Sequence, residues 1–257
     1  MNRIQQVFEN KKAFIPFITA GDPDLSVTEA LVPAMAEAGA DLIELGIPFS
    51  DPVAEGIVIQ EADLRALASG TTTDKIFDTV RRIRQKTDVP LAFMTYINPV
   101  FAYGVDKFMK NAADCGIDAL IVPDMPFEER EELLPACKKY DMTLIYLVAP
   151  TSRERGPGHS QGIRRICVLC IISWSHCVRS EITTNIKEMV DTVKQGRNVP
   201  CAIGFGISTP EQASRMASQA DGVIVGSAIV KMVARYGINC VEPVCDYVKQ
   251  MKAAVGV

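Results

Sequence analysis

"DLIELGI", residues 41–47, decides the fold. After Asp41 its only charged side chain is Glu44. A strand with one wet face alternates apolar and polar residues. A run apolar on both sides of the pleat is buried on both, as in a parallel sheet covered by helices. Working outward, "FIPFITA" (14–20), "PLAFMTY" (90–96), "ALIVPD" (119–124), "TLIYLVA" (143–149), "ICVLCII" (166–172), "PCAIGFG" (200–206) and "GVIVGSA" (222–228) repeat the pattern. Between them lie helix-length amphipathic stretches, among them "TEALVPAMAEAG", "DKIFDTVRRIRQKT" and "EEREELLPACKKYD". The last carries acids early and bases late, as the helix dipole favours. "STPEQASRMASQA" opens on a Ser/Thr cap with Pro in the first turn. Eight strand–helix units in 257 residues predict an α/β fold, a single (β/α)8 TIM barrel spanning residues 1–257. A doubly wound open sheet is the alternative, but no G-x-G-x-x-G turn follows the first strand.

The composition agrees with one large domain. Hydrophobic residues make up 48% of the chain, and the net charge of -4 with mixed signs offers no nucleic-acid footprint and no polybasic membrane patch. No apolar run approaches the roughly 20 residues that span a bilayer, and "MNRIQQVFENKK" lacks the apolar core of a signal peptide. The expectation is a cytoplasmic protein whose eight cysteines act mainly as small buried hydrophobes.

Barrel chemistry sits at the C-terminal ends of the strands. Glu44 lies near the end of the second one, where a carboxyl is costly unless it faces a polar cavity. It is read either as an acid satisfied by backbone donors or as an acid/base with a pKa raised by burial. The Pro- and Gly-punctuated loop that follows, "PFSDPVAEG", carries Asp51 and Glu55, so a strand-end acid and a loop acid can face one substrate from two sides. "GFGIS" (204–208) and "VGSAI" (225–229) end strands 7 and 8, where backbone amides and a helix N-terminus commonly seat a phosphate. Tight-turn glycines are the plainer reading of either motif alone.

With these residues in hand, the chain resembles the tryptophan synthase alpha subunit family. "PFITAGDP", "ELGIPFSDPVAEG", "TYINPV", "GFGIS" and "GSAIVK" are similar to its motifs, in order and at its spacing. The resemblance implies retro-aldol cleavage of indole-3-glycerol phosphate to indole and glyceraldehyde 3-phosphate. It implies no cofactor in this subunit, no metal, and a heterotetramer with a beta subunit that carries pyridoxal phosphate (PLP) and receives the indole. By motif, Glu44 corresponds to the general acid/base and Glu55 to the carboxylate at the indole N–H. Gly206, Gly226 and Ser227 correspond to phosphate-binding positions. Phe17, Tyr96 and Phe205 correspond to walls of the indole pocket, and Asp51 sits in the loop facing the partner. Two departures stand in that loop: Glu55 replaces the usual Asp, one methylene shorter, and Ile57 replaces the usual Pro. A non-catalytic partner that stimulates the beta subunit is the alternative function.

One stretch breaks the resemblance. Residues 156–177, in "RGPGHSQGIRRICVLCIISWSHC", hold both histidines, the only tryptophan and three cysteines, where the family carries a mobile "S-x-G-V-T-G" loop. The likeness resumes at once with "VRSEITTNIKEMV". Back-translated from His159 and shifted one base, the codons permit a helix tail, a strand "FVYCVSS" and then "GVT". A base gained near residue 156 and one lost near 177 accounts for both ends. The rival is a zinc site of Cys167, Cys170, His176 and Cys177, which fits poorly because the adjacent His176 and Cys177 suit a tetrahedron badly and both CxxC thiols fall within a strand. As translated, the segment keeps strand 6, breaks the preceding helix at "GPG" and lacks the closing threonine, which predicts impaired closure.

Overall fold

The computed structural model describes residues 3–9, 11–148, 167–169, 186–196, 199–204 and 206–256. Eight parallel strands close into a barrel in chain order. They are β1 Ala13–Thr19, β2 Ile43–Gly46, β3 Leu91–Met94, β4 Ala119–Ile121, β5 Thr143–Val148, β6 Cys167–Leu169, β7 Cys201–Ile203 and β8 Gly222–Val225. The ring shuts where β1 meets β8, with Ala13 opposite Gly222 and Pro16 opposite Val225. Every strand coincides with an expected run. "ICVLCII" supplies β6, paired to β5 through Tyr146–Cys167 and to β7 through Cys167–Cys201. The other residues of 156–177 lie outside the described residues, as do all four side chains of the zinc alternative.

The continuous apolar runs follow from two buried faces. Ile15, Leu42, Ala92, Ala119, Ile121, Ile145, Ala202 and Ile224 fill the barrel interior, together with Ile4 and Val7, which plug its lower end. Their neighbours one residue on, such as Phe14, Ile43, Leu45, Phe93 and Leu120, pack outward against the helices. Leu42, just ahead of β2, and Glu44 on it are two apart in the same extended run and therefore share the inward face.

A repeated carboxylate fixes the lower rim. Asp41, Asp118 and Asp221 each stand just ahead of an even-numbered strand and accept an amide from the strand before: Phe14 N at 2.8 Å, Leu91 N at 2.9 Å and Cys201 N at 2.9 Å. Each also meets a cation: Lys252 at 2.7 Å, Arg84 at 2.9 Å and Lys194 at 2.8 Å. The register is thus set by charge-assisted bonds away from the end where chemistry occurs.

Most expected helices form, and the Ser/Thr cap expected for "STPEQASRMASQA" is present. Thr209 and Gln212 make a reciprocal capping box ahead of Pro210–Ala217. The Asp24 carboxylate accepts the Ser26 and Val27 amides to start Leu25–Glu37. "EEREELLPACKKYD" departs from the single expected helix. It divides into a 3-10 turn, Phe127–Glu132, and a short α-helix, Leu134–Lys139. Pro135 has no N–H and suits a first turn, and it stands in the first turn of Leu134–Lys139, where the helix begins again.

Candidate active site

The upper rim is built from the ends of β1, β2, β3 and β8. Glu44, 4% exposed, sits inward on β2 directly across from Phe17 of β1. Burial alone pushes its carboxyl up to about 8. Two residues on, Gly46 leaves the mouth open: a Cβ there would come within 2.7 Å of the Phe17 ring. The other edge of that ring lies 3.4 Å from the place a Cβ would take on Gly226. One aromatic side chain therefore spans the gap between the Glu44 strand and the end of β8.

Gly226 precedes the helix Ser227–Tyr236 and its carbonyl takes the Ile229 and Val230 amides, which leaves those of Ser227 and Ala228 without a helical partner. Ser227 is exposed. Gly206 adopts φ +63 with nothing within 4 Å of a would-be Cβ, so this turn needs glycine and borders open space. These are the features of an anion seat, and all three candidate phosphate residues lie at the C-terminal ends of β7 and β8. Phe205 lies outside the described residues.

The loop between β2 and the helix Ile57–Ala68 is held by struts. The Ala54 amide donates to the Tyr96 hydroxyl at 2.9 Å, and Gln60 Nε2 donates to the Glu55 carbonyl at 2.8 Å. The Phe49 ring leans on Tyr96 with centroids 5.4 Å apart. Tyr96, expected as a pocket wall, is thus also the post that anchors the Glu55 loop. One oxygen of Glu55, Oε2, is buried with no hydrogen-bond partner. An unmet buried acceptor at a rim marks a place for a donor to arrive. Burial and then the nearby Asp63 charge push Glu55 up to about 8, with the Tyr96 hydroxyl acting against both.

Asp63 is the residue that sequence reasoning missed. It is 5% exposed on the inner face of Ile57–Ala68, beside Ile59, Ala62 and Ala66. The signal was legible: an acid at the i+4 position from Ile59 belongs to the apolar stripe rather than the wet face. Ile57 takes the first helical position, where proline is well suited, and is 69% exposed. It joins Val53, Leu64 and Phe101 as large apolar side chains in solvent, with exposed Asp51 in the same loop.

Elsewhere, a depression lined by Lys11, Glu37, Asp41 and Lys86 opens at the lower rim, and Asp41 there is already paired with Lys11 and Lys252. Among the described residues no cluster of three His, Cys, Asp or Glu could hold a metal. None of the described helices is long and apolar enough to cross a membrane.

The chain is similar to known proteins along nearly its whole length. The sequence model of a family described as tryptophan synthase alpha chain matches residues 4–256. The tryptophan synthase alpha chain of Lacticaseibacillus casei is 46% identical over 255 residues, covering 99% of this chain and 96% of the relative. That of Caldanaerobacter subterraneus subsp. tengcongensis is 46% identical over 260 residues, covering 99% and 97%. Among solved structures, the tryptophan synthase subunit alpha of Legionella pneumophila superposes with a TM-score of 0.89 at 34% identity, covering 99% of this chain and 98% of that one. A tryptophan synthase structure from Mycobacterium tuberculosis gives 0.89 at 32% identity, covering 100% and 99%.

Proposed function

Because the chain belongs to the tryptophan synthase alpha chain family, a lyase family whose reaction is cleavage of indole-3-glycerol phosphate to indole and glyceraldehyde 3-phosphate, we propose that Glu44 and Glu55 are its working carboxylates. The observation that carries this reading is the inward, buried Glu44 one aromatic ring away from the Gly226 turn.

The chemistry follows from what the bond requires. Indole leaves as a neutral ring, so its C3 must gain a proton. A Glu44 carboxyl held near 8 by burial still carries a proton at neutral pH and can give it. Protonation leaves positive charge on the ring nitrogen, which Glu55, once ionised, offsets from the N–H side. Glu44, now ionised, takes the proton of the hydroxyl next to C3. The aldehyde forms, the carbon–carbon electron pair returns to the ring, and Glu44 is again protonated. The seat formed by Gly206, Gly226 and Ser227 holds the phosphate and so fixes the other end of the substrate. Phe17 and Tyr96 flank the ring, with Phe205 as the third expected wall.

Each of these steps uses carboxyls and backbone amides of this chain. In this reading PLP belongs to a beta subunit, and that subunit is the partner. Exposed Val53, Ile57, Leu64 and Phe101 near Asp51 support a docking face at the same end as the site. The chain is taken to be cytoplasmic and to form one domain, with 156–177 an out-of-frame stretch inside it.

The test is indole release from indole-3-glycerol phosphate by the chain alone. Release that falls by 10²-fold or more in Glu44→Gln, about the size of a general acid's contribution, supports catalysis. Stimulation of a beta subunit without any release supports the non-catalytic alternative.

A further inference from the structure

Three carboxyls, Glu55, Asp63 and Asp22, gather on the Glu55 side of the rim, and the mechanism uses only Glu55. We infer that Asp63 is a positioning residue for Glu55, holding its loop through the Phe49 amide while its own charge opposes the charge of Glu55. This inference rests on the assignment of Glu55 as the loop acid.

The geometry has two parts. The loop 48–56 leaves β2 at Phe49 and returns at Glu55 and Gly56 to start Ile57–Ala68. Asp63, two turns into that helix and buried, accepts the Phe49 amide at the exit, and the Thr19 hydroxyl at the end of β1 faces it as well. Tyr96 accepts the Ala54 amide at the return. The loop is therefore pinned at both ends, and Asp63 is the post at one of them.

The second part is electrostatic. Around Asp63, the charged groups are Glu55 from the loop and Asp22 from the segment after β1. Asp22 is already matched by Arg65, whose Nε and Nη2 both donate at 2.8 Å. That arginine on the same helix is thereby committed to Asp22, and among the described residues no other cation bears on the charge of Glu55 or Asp63. Two adjacent buried carboxyls do not both ionise readily. Burial first, then the Asp22 charge, raise Asp63 to about 7, against the Phe49 amide and Thr19 hydroxyl. Glu55 follows at about 8. The two titrate as a coupled pair, and an ionised Asp63 delays the charge that Glu55 must show to an indole N–H. The acid limb of the reaction is expected to sit above neutrality because of a residue that does not touch substrate.

The experiment is the pH profile of kcat/KM for indole-3-glycerol phosphate in the wild type, Asp63→Asn and Glu55→Gln. Asn keeps an oxygen for the Phe49 amide and loses the charge. Expected is an acid limb moved down by about one pH unit in Asp63→Asn, a tenfold gain in kcat/KM below the limb. In Glu55→Gln that limb should be missing. An unmoved limb in Asp63→Asn, with the limb still lost in Glu55→Gln, overturns the inference and leaves the Glu55 assignment standing. A limb retained at full activity in Glu55→Gln removes the assignment itself and the inference with it. Carboxyl infrared bands give a second reading independent of turnover and of how well Asp63→Asn folds. By reciprocity, Glu55→Gln must shift the titration of the Asp63 band downward, and a band that titrates as in the wild type counts against the coupling.

Discussion

Glu44 makes stability depend on pH in a direction opposite to that of a paired carboxylate. In the unfolded chain it titrates near the ordinary 4.5, and in the folded barrel near 8. Between those values the folded state holds a proton that the unfolded state has lost. Stability is then greatest below 4.5, declines as pH rises through the window, and levels off above 8. Integrated from pH 5.5 to 8.5, this one group removes about 3 kcal/mol. Asp63 and Glu55 titrate in the same sense, so the wild-type slope is steeper still, and the comparison with Glu44→Gln isolates one residue. The assay is urea unfolding at half-unit pH intervals, with the slope m required to stay constant. Wild type should lose about 3 kcal/mol more than Glu44→Gln across that range. Parallel curves would refute the claim that burial holds this carboxyl protonated.

Other substitutions test the parts around it. Gly46→Ala places a methyl 2.7 Å from the Phe17 ring, so the ring must swing into the mouth. KM for the substrate should rise on the order of tenfold, the loss expected for a small misplacement. Tyr96→Phe removes the acceptor for the Ala54 amide. It should lower kcat/KM about tenfold while thermal melting moves by only a few degrees, consistent with one hydrogen bond of about 1 kcal/mol. Asp118→Asn leaves the guanidinium of Arg84 without its buried partner at the lower rim. The expected cost is about 3 kcal/mol, a fall in Tm on the order of 10 °C, with KM unchanged. A chain carrying the frame-restored run at 156–177 should turn over at least about tenfold faster if that segment closes the site. Equal turnover would count against the reading, as would coding DNA free of both indels.

The fold was legible because eight runs of one kind recur along the chain with helix-length stretches between them, and the strand count needed nothing tertiary. Glu44 was legible for the same reason: an acid in "DLIELGI" contradicts its surroundings. Asp63 was harder, since helix Ile57–Ala68 carries Glu61 and Arg65 as well, and only the placement of the stripe separates the buried acid from the wet ones. The double duty of Tyr96 was not legible, because Ala54 lies 42 residues away and meets it only through closure of the barrel. The division of "EEREELLPACKKYD" was available from Pro135 and was outweighed by the charge gradient along the stretch.

A crystal structure with a non-cleavable indolyl-alkyl phosphate tests the central claim most directly. The account predicts phosphate on the Ser227 turn beside Gly206 and Gly226, the ring against Phe17, its N–H at the open oxygen of Glu55, and its C3 within reach of Glu44. Phosphate bound elsewhere, or a ring whose C3 faces away from Glu44, would contradict it.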